Sequence, residues 1–190
     1  MNTPLLHKEL LAGIARGSEP ALAELYDHFK SRVFNTALGF LRDTAEAEEV
    51  TQDVFVKIYQ SAARFEGKAS VSTWIYRITV NQSLDRLNHR KRQKRFGLIV
   101  RFFRSDNPEP QIDLPDFDHP GVVMEKKENA RILFKAIESL PEQQKTAFIL
   151  SFVEDLARQE VADIMQVSLK AVESLLQRAK ANLRARLEGN

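Results

Sequence analysis

Along most of the chain, apolar residues recur at spacings of three and four. That is the signature of helices that bury one side and leave the other to water. The first such helix covers residues near 4–16 and is ended by Gly17. Ser18 and Pro20 then supply a cap and a first-turn proline for the next helix, whose core stripe is Leu22, Leu25, Tyr26, Phe29, Val33, Ala37 and Phe40. Asp43-Thr44-Ala45-Glu46 has the form of a capping box, with Asp in place of Ser or Thr, and starts a helix over 44–63. On a wheel, Ala47, Val50, Val54, Phe55, Ile58 and Ala62 point inward, while Glu49, Gln52, Asp53, Val56, Tyr59 and Gln60 point outward. Val56 and Tyr59 are thus apolar bodies on a polar face. They are either ordinary exposed hydrophobics or part of a surface that meets a partner.

A loop with Gly67 at a turn and Ser70 as cap precedes a helix over 71–89, in which Trp74, Ile75, Ile78, Leu84 and Leu87 are apolar. Trp74 fits two roles, core packing or shaping a surface for unpaired bases, on which aromatic rings stack. Further on, residues 122–140 carry Ala130, Leu133, Phe134, Ile137 and Leu140 on one face, and Pro141 opens a helix to about residue 152. Two more helices follow in 156–186, joined by a tight turn at Met165-Gln166-Val167-Ser168. In the second of them Val172, Leu175, Leu176, Ala179, Leu183 and Leu187 form one arc, and Lys170, Glu173, Ser174, Gln177, Arg178, Lys180 and Arg184 fill the other. Ser168 stands at its N-cap. This is the layout of a helix-turn-helix DNA reader, and also that of a plain amphipathic hairpin.

Composition agrees with a helical protein. The chain has 190 residues with only 7 Gly and 7 Pro, so the fold class expected is all-α. Two small helical domains are expected, joined by a flexible linker: 1–95, a linker over 96–119, and 120–190 with the helix-turn-helix. The linker follows from a charge asymmetry hidden by a net charge of +2. Arg86 to Arg104 carries basic residues and no acid, whereas Asp106 to Asp118 is rich in Asp and Pro and carries no Lys or Arg. Such a Pro- and Asp-rich run favours extended chain.

Cysteine is absent, which removes disulfides, thiolate metal sites and cysteine catalysis and fits a reducing cytoplasm. Neither a signal peptide nor an apolar run of the ~20 residues a membrane span needs is present. His7, His28, His89 and His119 show no metal-ligand spacing, and no phosphate loop or catalytic constellation is evident. The chain is therefore expected to be no enzyme and to need no cofactor or metal.

Four runs, in this order, carry a resemblance: AEEVTQDVF at 47–55, TWIYRI at 73–78, SLPEQQ at 139–144 and VESLLQRAK at 172–180. The segment 44–92 resembles region 2, and 138–187 resembles region 4, of an extracytoplasmic function (ECF) RNA polymerase sigma factor. The likeness spans nearly the whole chain. It implies a cytoplasmic transcription-initiation subunit that binds core RNA polymerase through its clamp helices and flap, directs it to promoter DNA and helps open the −10 element. It also implies an anti-sigma factor as partner, which would hold the chain at the inner membrane without direct membrane insertion. Glu49, Gln52, Asp53, Val56 and Gln60 fall on the family's polymerase-binding face. Lys68, Ser70, Ser72, Trp74, Arg77, Asn81, Arg86 and Arg90 fall on its −10 reader. Ser168, Lys170, Glu173, Ser174, Gln177, Arg178 and Lys180 fall on its −35 reader, and the acidic linker on a segment that threads the polymerase channels.

Three positions depart from the family pattern. Ala157 and Arg158 replace a more frequent Ser-Tyr pair at the helix-turn-helix entrance, and Glu173 replaces a Lys or Arg. Glu173 fits either of two roles, accepting from a cytosine amino group or pairing with Lys170 or Gln177. The competing readings are a free-standing regulator with an N-terminal sensing or dimerisation domain, and an enzyme. A second DNA-reading surface around TWIYRI argues against the first, and the missing constellation against the second.

Overall fold

The computed structural model describes residues 3–102 and 132–188, the side chains of 94–102 excepted. All regular structure among the described residues is helical. The elements are α1 (Thr3–Ala15), α2 (Glu19–Leu41), α3 (Thr44–Ser61) with a 3-10 turn at Ala62–Arg64, α4 (Val71–Phe102), α5 (residues 132–138), α6 (Glu142–Phe148) continued by a π-helical turn at Ile149–Val153, α7 (Arg158–Met165) and α8 (Leu169–Glu188). They form two compact units. One holds the described residues up to Phe65 and those from Ile78 along α4; the other holds Glu66–Arg77 and the described residues after 131. The division between these compact units falls inside α4. Of the expected linker, 96–102 is helical backbone, while 103–119 and the start of the helix expected at 122 lie outside the described residues.

In the first unit local chemistry sets where helices start and stop. Gly17 adopts φ 85°, which a side chain would oppose, and ends α1 in a Schellman motif: its N–H donates to Ile14 O and that of Ser18 to Gly13 O. Ser18 Oγ then accepts from Ala21 N at 3.3 Å and Asp43 Oδ1 from Glu46 N at 2.8 Å, so both expected caps form. Helices α1, α2 and α3 enclose a core of Leu11, Ile14, Leu25, Phe29, Val33, Phe40, Val54 and Ile58, each at most 2% exposed. Tyr26 departs from the expected stripe. It is 41% exposed and packs its ring at the core's rim against Phe55, 4.7 Å between centroids. Thr36, Thr51 and Ser83 are buried but satisfied, each hydroxyl donating to the carbonyl four residues back.

Two interactions across long sequence separations complete this unit. His7 on α1 lies with Nε2 3.2 Å from His28 Nδ1 on α2, and its ring also packs on Phe29. Burial, followed by the nearby His28 and Arg32, holds the His7 pKa below the ordinary imidazole value. The second is an ion-pair cluster that ties α4 to the start of α3. Glu46 Oε1 accepts from Arg86 Nε at 3.4 Å and Glu46 Oε2 from Arg90 Nη1 at 3.1 Å. Arg86 Nη2 also donates to Glu49 Oε2 at 2.5 Å, and Arg90 Nη1 to Leu41 O at 3.2 Å. Burial alone would lower the Arg86 pKa, but Glu49 and Glu46 outweigh it and raise it.

In the second unit Ala136, Ile137 and Leu140 pack with Ala179 and Leu183 of α8, beside Phe134 and Phe148. Gln144 on α6 accepts from Asn182 Nδ2 at 2.8 Å, which fixes α6 along α8. The expected single helix to residue 152 instead loosens into the π turn, where Glu154 N donates to Ile149 O. Phe152 and Val153 come out 47% and 45% exposed. Between α7 and α8 the tight turn is a second Schellman motif, with Gln166 in the left-handed position at φ 57°. Ser168 Oγ accepts from Ala171 N at 3.2 Å and caps α8. Leu187, expected on the buried arc, is 41% exposed because it lies in the last turn, beyond the packing partners of Leu183.

Two outcomes follow. The unfolded chain binds a proton on His7 near pH 6.5, whereas the folded chain resists it. Stability must therefore fall as pH drops from about 6.5 toward the lower folded value, and this component vanishes above that window. Thermal melts between pH 7.5 and 5.5 should fall less steeply for His7→Gln than for the unsubstituted chain. Glu46→Ala removes an acceptor from each of two partly buried guanidinium groups and should destabilise the first unit by about 1–2 kcal/mol in urea titrations, with Glu46→Gln recovering part of the loss.

Candidate nucleic-acid and partner interfaces

Packing of the inner arc of α3 against α2 leaves the opposite side of α3 in water. Glu49, Gln52, Asp53, Val56 and Gln60 are all exposed there, joined by Tyr59. Val56 is 55% and Tyr59 48% exposed, so the face combines acids and amides with two accessible apolar groups. Glu49 is the member already engaged, through Arg86.

The residues expected on the −10 reader are placed on both sides of the division in α4. In the second unit, Lys68 and Ser70 are exposed, while Ser72, Trp74 and Arg77 are half-buried. Ser70 Oγ caps α4 by accepting from Thr73 N at 3.0 Å, and Lys68 pairs with Glu66. Arg77 grips the end of α7, Nε and Nη2 both donating to Asp163 O, at 3.1 and 2.6 Å. In the first unit, Asn81 is exposed, and Arg86 and Arg90 are the guanidinium groups that close on Glu46. The basic character of α4 near Arg86 and Arg90 is thus balanced by α3, a pairing across about forty residues that sequence spacing does not reveal.

On α8 the structure brings the expected −35 residues onto one exposed side. Lys170, Glu173, Ser174, Gln177, Arg178 and Lys180 are all exposed, opposite buried Val172, Leu175, Leu176 and Ala179. Arg178 Nε donates to Ser174 O at 3.3 Å, and Lys180 Nζ sits 4.8 Å from the Phe152 ring centroid. The partner of Glu173 is neither Lys170 nor Gln177. Its Oε1 lies 3.7 Å from Arg158 Nη1, at the first residue of α7. At the same entrance, Ala157 cannot cap α7 with a hydroxyl. Only the reciprocal half of a capping box is made, Ala157 N donating to Glu160 Oε2 at 3.1 Å.

Among the described residues no group of three or more His, Cys, Asp or Glu is placed to hold a metal ion. No described helix is long and apolar enough to cross a membrane.

Comparison with known proteins matches both units. The model of sigma-70 region 2 matches residues 25–93, and that of sigma-70 region 4 matches residues 130–183. The ECF sigma-E factor of Haemophilus influenzae is 28% identical over 188 residues, covering 99% of this chain and 98% of its own. The RNA polymerase sigma-H factor of Pseudomonas aeruginosa is 28% identical over 177 residues, covering 91% and 89%. Among solved structures, CnrH in complex with the cytosolic domain of CnrY shares the fold at a TM-score of 0.66 and 21% identity, over 97% of this chain and 99% of that one. The sigma factor RpoE of Bartonella quintana, in complex with the anti-sigma factor NepR, shares it at 0.61 and 19%, over 87% and 96%. The helical architecture, the two matched regions and the full-length relatives agree: this chain belongs to the sigma-70 family, as a sigma factor of the ECF type.

Proposed function

We infer that the chain, as a DNA-binding transcription initiation factor, acts in promoter-specific initiation of transcription through RNA polymerase. We propose a division of that work among its surfaces. The outer face of α3, with Glu49, Gln52, Asp53, Val56 and Gln60, binds the clamp helices of core polymerase. The loop from Phe65 to Ser72 and the exposed side of α4 read and help melt the −10 element. The exposed side of α8 reads the −35 element in the major groove. The functional domains on this reading are 1–95 and 120–190, with 96–119 as the linker between them.

The observation that carries the reading is the outer face of α3, where Val56 and Tyr59 stay accessible among acids and amides. Accessible apolar groups ringed by polar ones suit a protein partner rather than DNA. Melting would be driven by holding an unpaired base outside the stack, with contacts to the extruded base offsetting the lost stacking. The near-zero net charge fits a subunit with weak phosphate attraction of its own, for which polymerase supplies the remaining affinity.

An anti-sigma factor is the second partner on this reading, supported by the NepR complex of the Bartonella relative. It would cover the accessible Val56–Tyr59 and Phe152–Val153 groups and would keep a cytoplasmic chain at the inner membrane if itself anchored there.

Asp53→Arg reverses a charge at the centre of the α3 face and should weaken co-purification with core polymerase about tenfold. The fold should be intact by circular dichroism, and Glu9→Arg on α1 should bind normally. Unchanged binding by Asp53→Arg would remove the clamp-face assignment. Run-off transcription dependent on this chain, with permanganate-reactive thymines at −10, tests the melting role; polymerase recruitment without reactive thymines would refute it.

A further inference from the structure

Two residues of the helix-turn-helix that the sequence singles out, Arg158 and Glu173, are partners in space. Arg158 Nη1 at the start of α7 and Glu173 Oε1 on α8 meet at 3.7 Å. Both are about half exposed, at 57% and 51%, so the pair lies on the accessible side of the motif and not in its core. A lone carboxylate among Lys170, Ser174, Gln177, Arg178 and Lys180 would be repelled by the phosphates that those cations attract. A guanidinium beside it cancels that repulsion. The contact runs through Oε1, which leaves Oε2 to accept a hydrogen bond, and a guanidinium carries five N–H donors, so one contact does not exhaust Arg158.

Resting on the assignment of α8 to the −35 element, we propose that Arg158 is a positioning residue for DNA sequence readout: it holds Glu173 so that Oε2 accepts from the N4 amino group of a cytosine in the major groove, while the rest of its guanidinium meets the adjacent phosphate. Cytosine is the base whose major-groove edge offers an amino donor to a carboxylate without an acceptor beside it to repel the second oxygen; adenine pairs its N6 donor with the N7 acceptor. An arginine suits this double role because its planar fork can meet a carboxylate and a phosphate together, whereas the Lys ammonium is a point charge. The cation beside Glu173 is thereby supplied from α7, and α8 contributes the acceptor.

The test is selection of promoters with randomised −35 elements by reconstituted holoenzyme. The unsubstituted chain should prefer cytosine at one position. Glu173→Gln should abolish that preference and shift it toward adenine, which the Gln amide can read, a change of roughly tenfold in relative enrichment. Arg158→Ala should flatten the preference at that same position, beyond any overall loss of binding, and Arg158→Lys should restore part of it.

A uniform loss of binding in Arg158→Ala with the cytosine preference intact would mean a phosphate contact only and would overturn the proposal. So would a guanine preference lost in Arg158→Ala but kept in Glu173→Gln, since Arg158 would then be reading a base itself. Gln177→Ala separates this proposal from the assignment beneath it. If Gln177→Ala alters the selected sequences and Glu173→Gln does not, only the Arg158–Glu173 proposal fails. If neither does, α8 does not read the −35 element and both fall.

Discussion

Burial of one face of α3 against α2 is the constraint on which the first unit depends. Leu25, Phe29 and Phe40 on α2 and Val54 and Ile58 on α3 are all essentially inaccessible, so neither helix can rotate without exposing large apolar area at about 25 cal/mol per Å². That lock decides what is left over. With Ala47, Val50, Val54 and Ile58 committed inward, Gln52, Asp53, Val56 and Gln60 have nowhere to go but outward. The exposed face of α3 is the geometric remainder of the core.

Charge adds a second layer of commitment. The basic side chains of α4 look like a nucleic-acid surface when they are read in a line, yet Arg86 and Arg90 are drawn onto Glu46 and Glu49 of α3. Glu46 is the most shielded member, with a side chain 20% exposed, and it answers two guanidinium groups at once. A partly buried acid in that position holds the start of α3 to α4 and at the same time removes two cations from the charge offered to phosphates. The exposed α3 face and the α4 cluster are thus linked through a shared side chain, since Glu49 belongs to both.

The helix-turn-helix follows the same logic with fewer residues. Val161, Ala162, Val172, Leu176 and Ala179 are buried almost completely, which sets α7 across α8 and fixes which side of α8 is open. The left-handed Gln166 completes the turn without a glycine, because paired backbone hydrogen bonds at its end of α7 compensate for the less favourable φ. Once that geometry is set, the first residue of α7 is brought beside the fifth of α8, and Arg158 meets Glu173.

Sequence alone was enough for the all-α class, the caps at Ser18, Asp43, Ser70 and Ser168, the two-faced character of α3 and α8, and the family. All of these rest on spacings of a few residues, where helical periodicity and capping chemistry act directly. It misplaced what depends on the ends and irregularities of packing: Tyr26 and Leu187 came out exposed, and the helix after Pro141 loosened into a π turn that presents Phe152 and Val153. Only the tertiary structure decided the pairings: His7 with His28, Arg86 and Arg90 with Glu46, Arg77 with the Asp163 carbonyl, and Arg158 with Glu173. An ion pair or an imidazole contact is set by where two helices cross. A hydrophobic period specifies which side of a helix turns inward, but not which residue of another helix it will face.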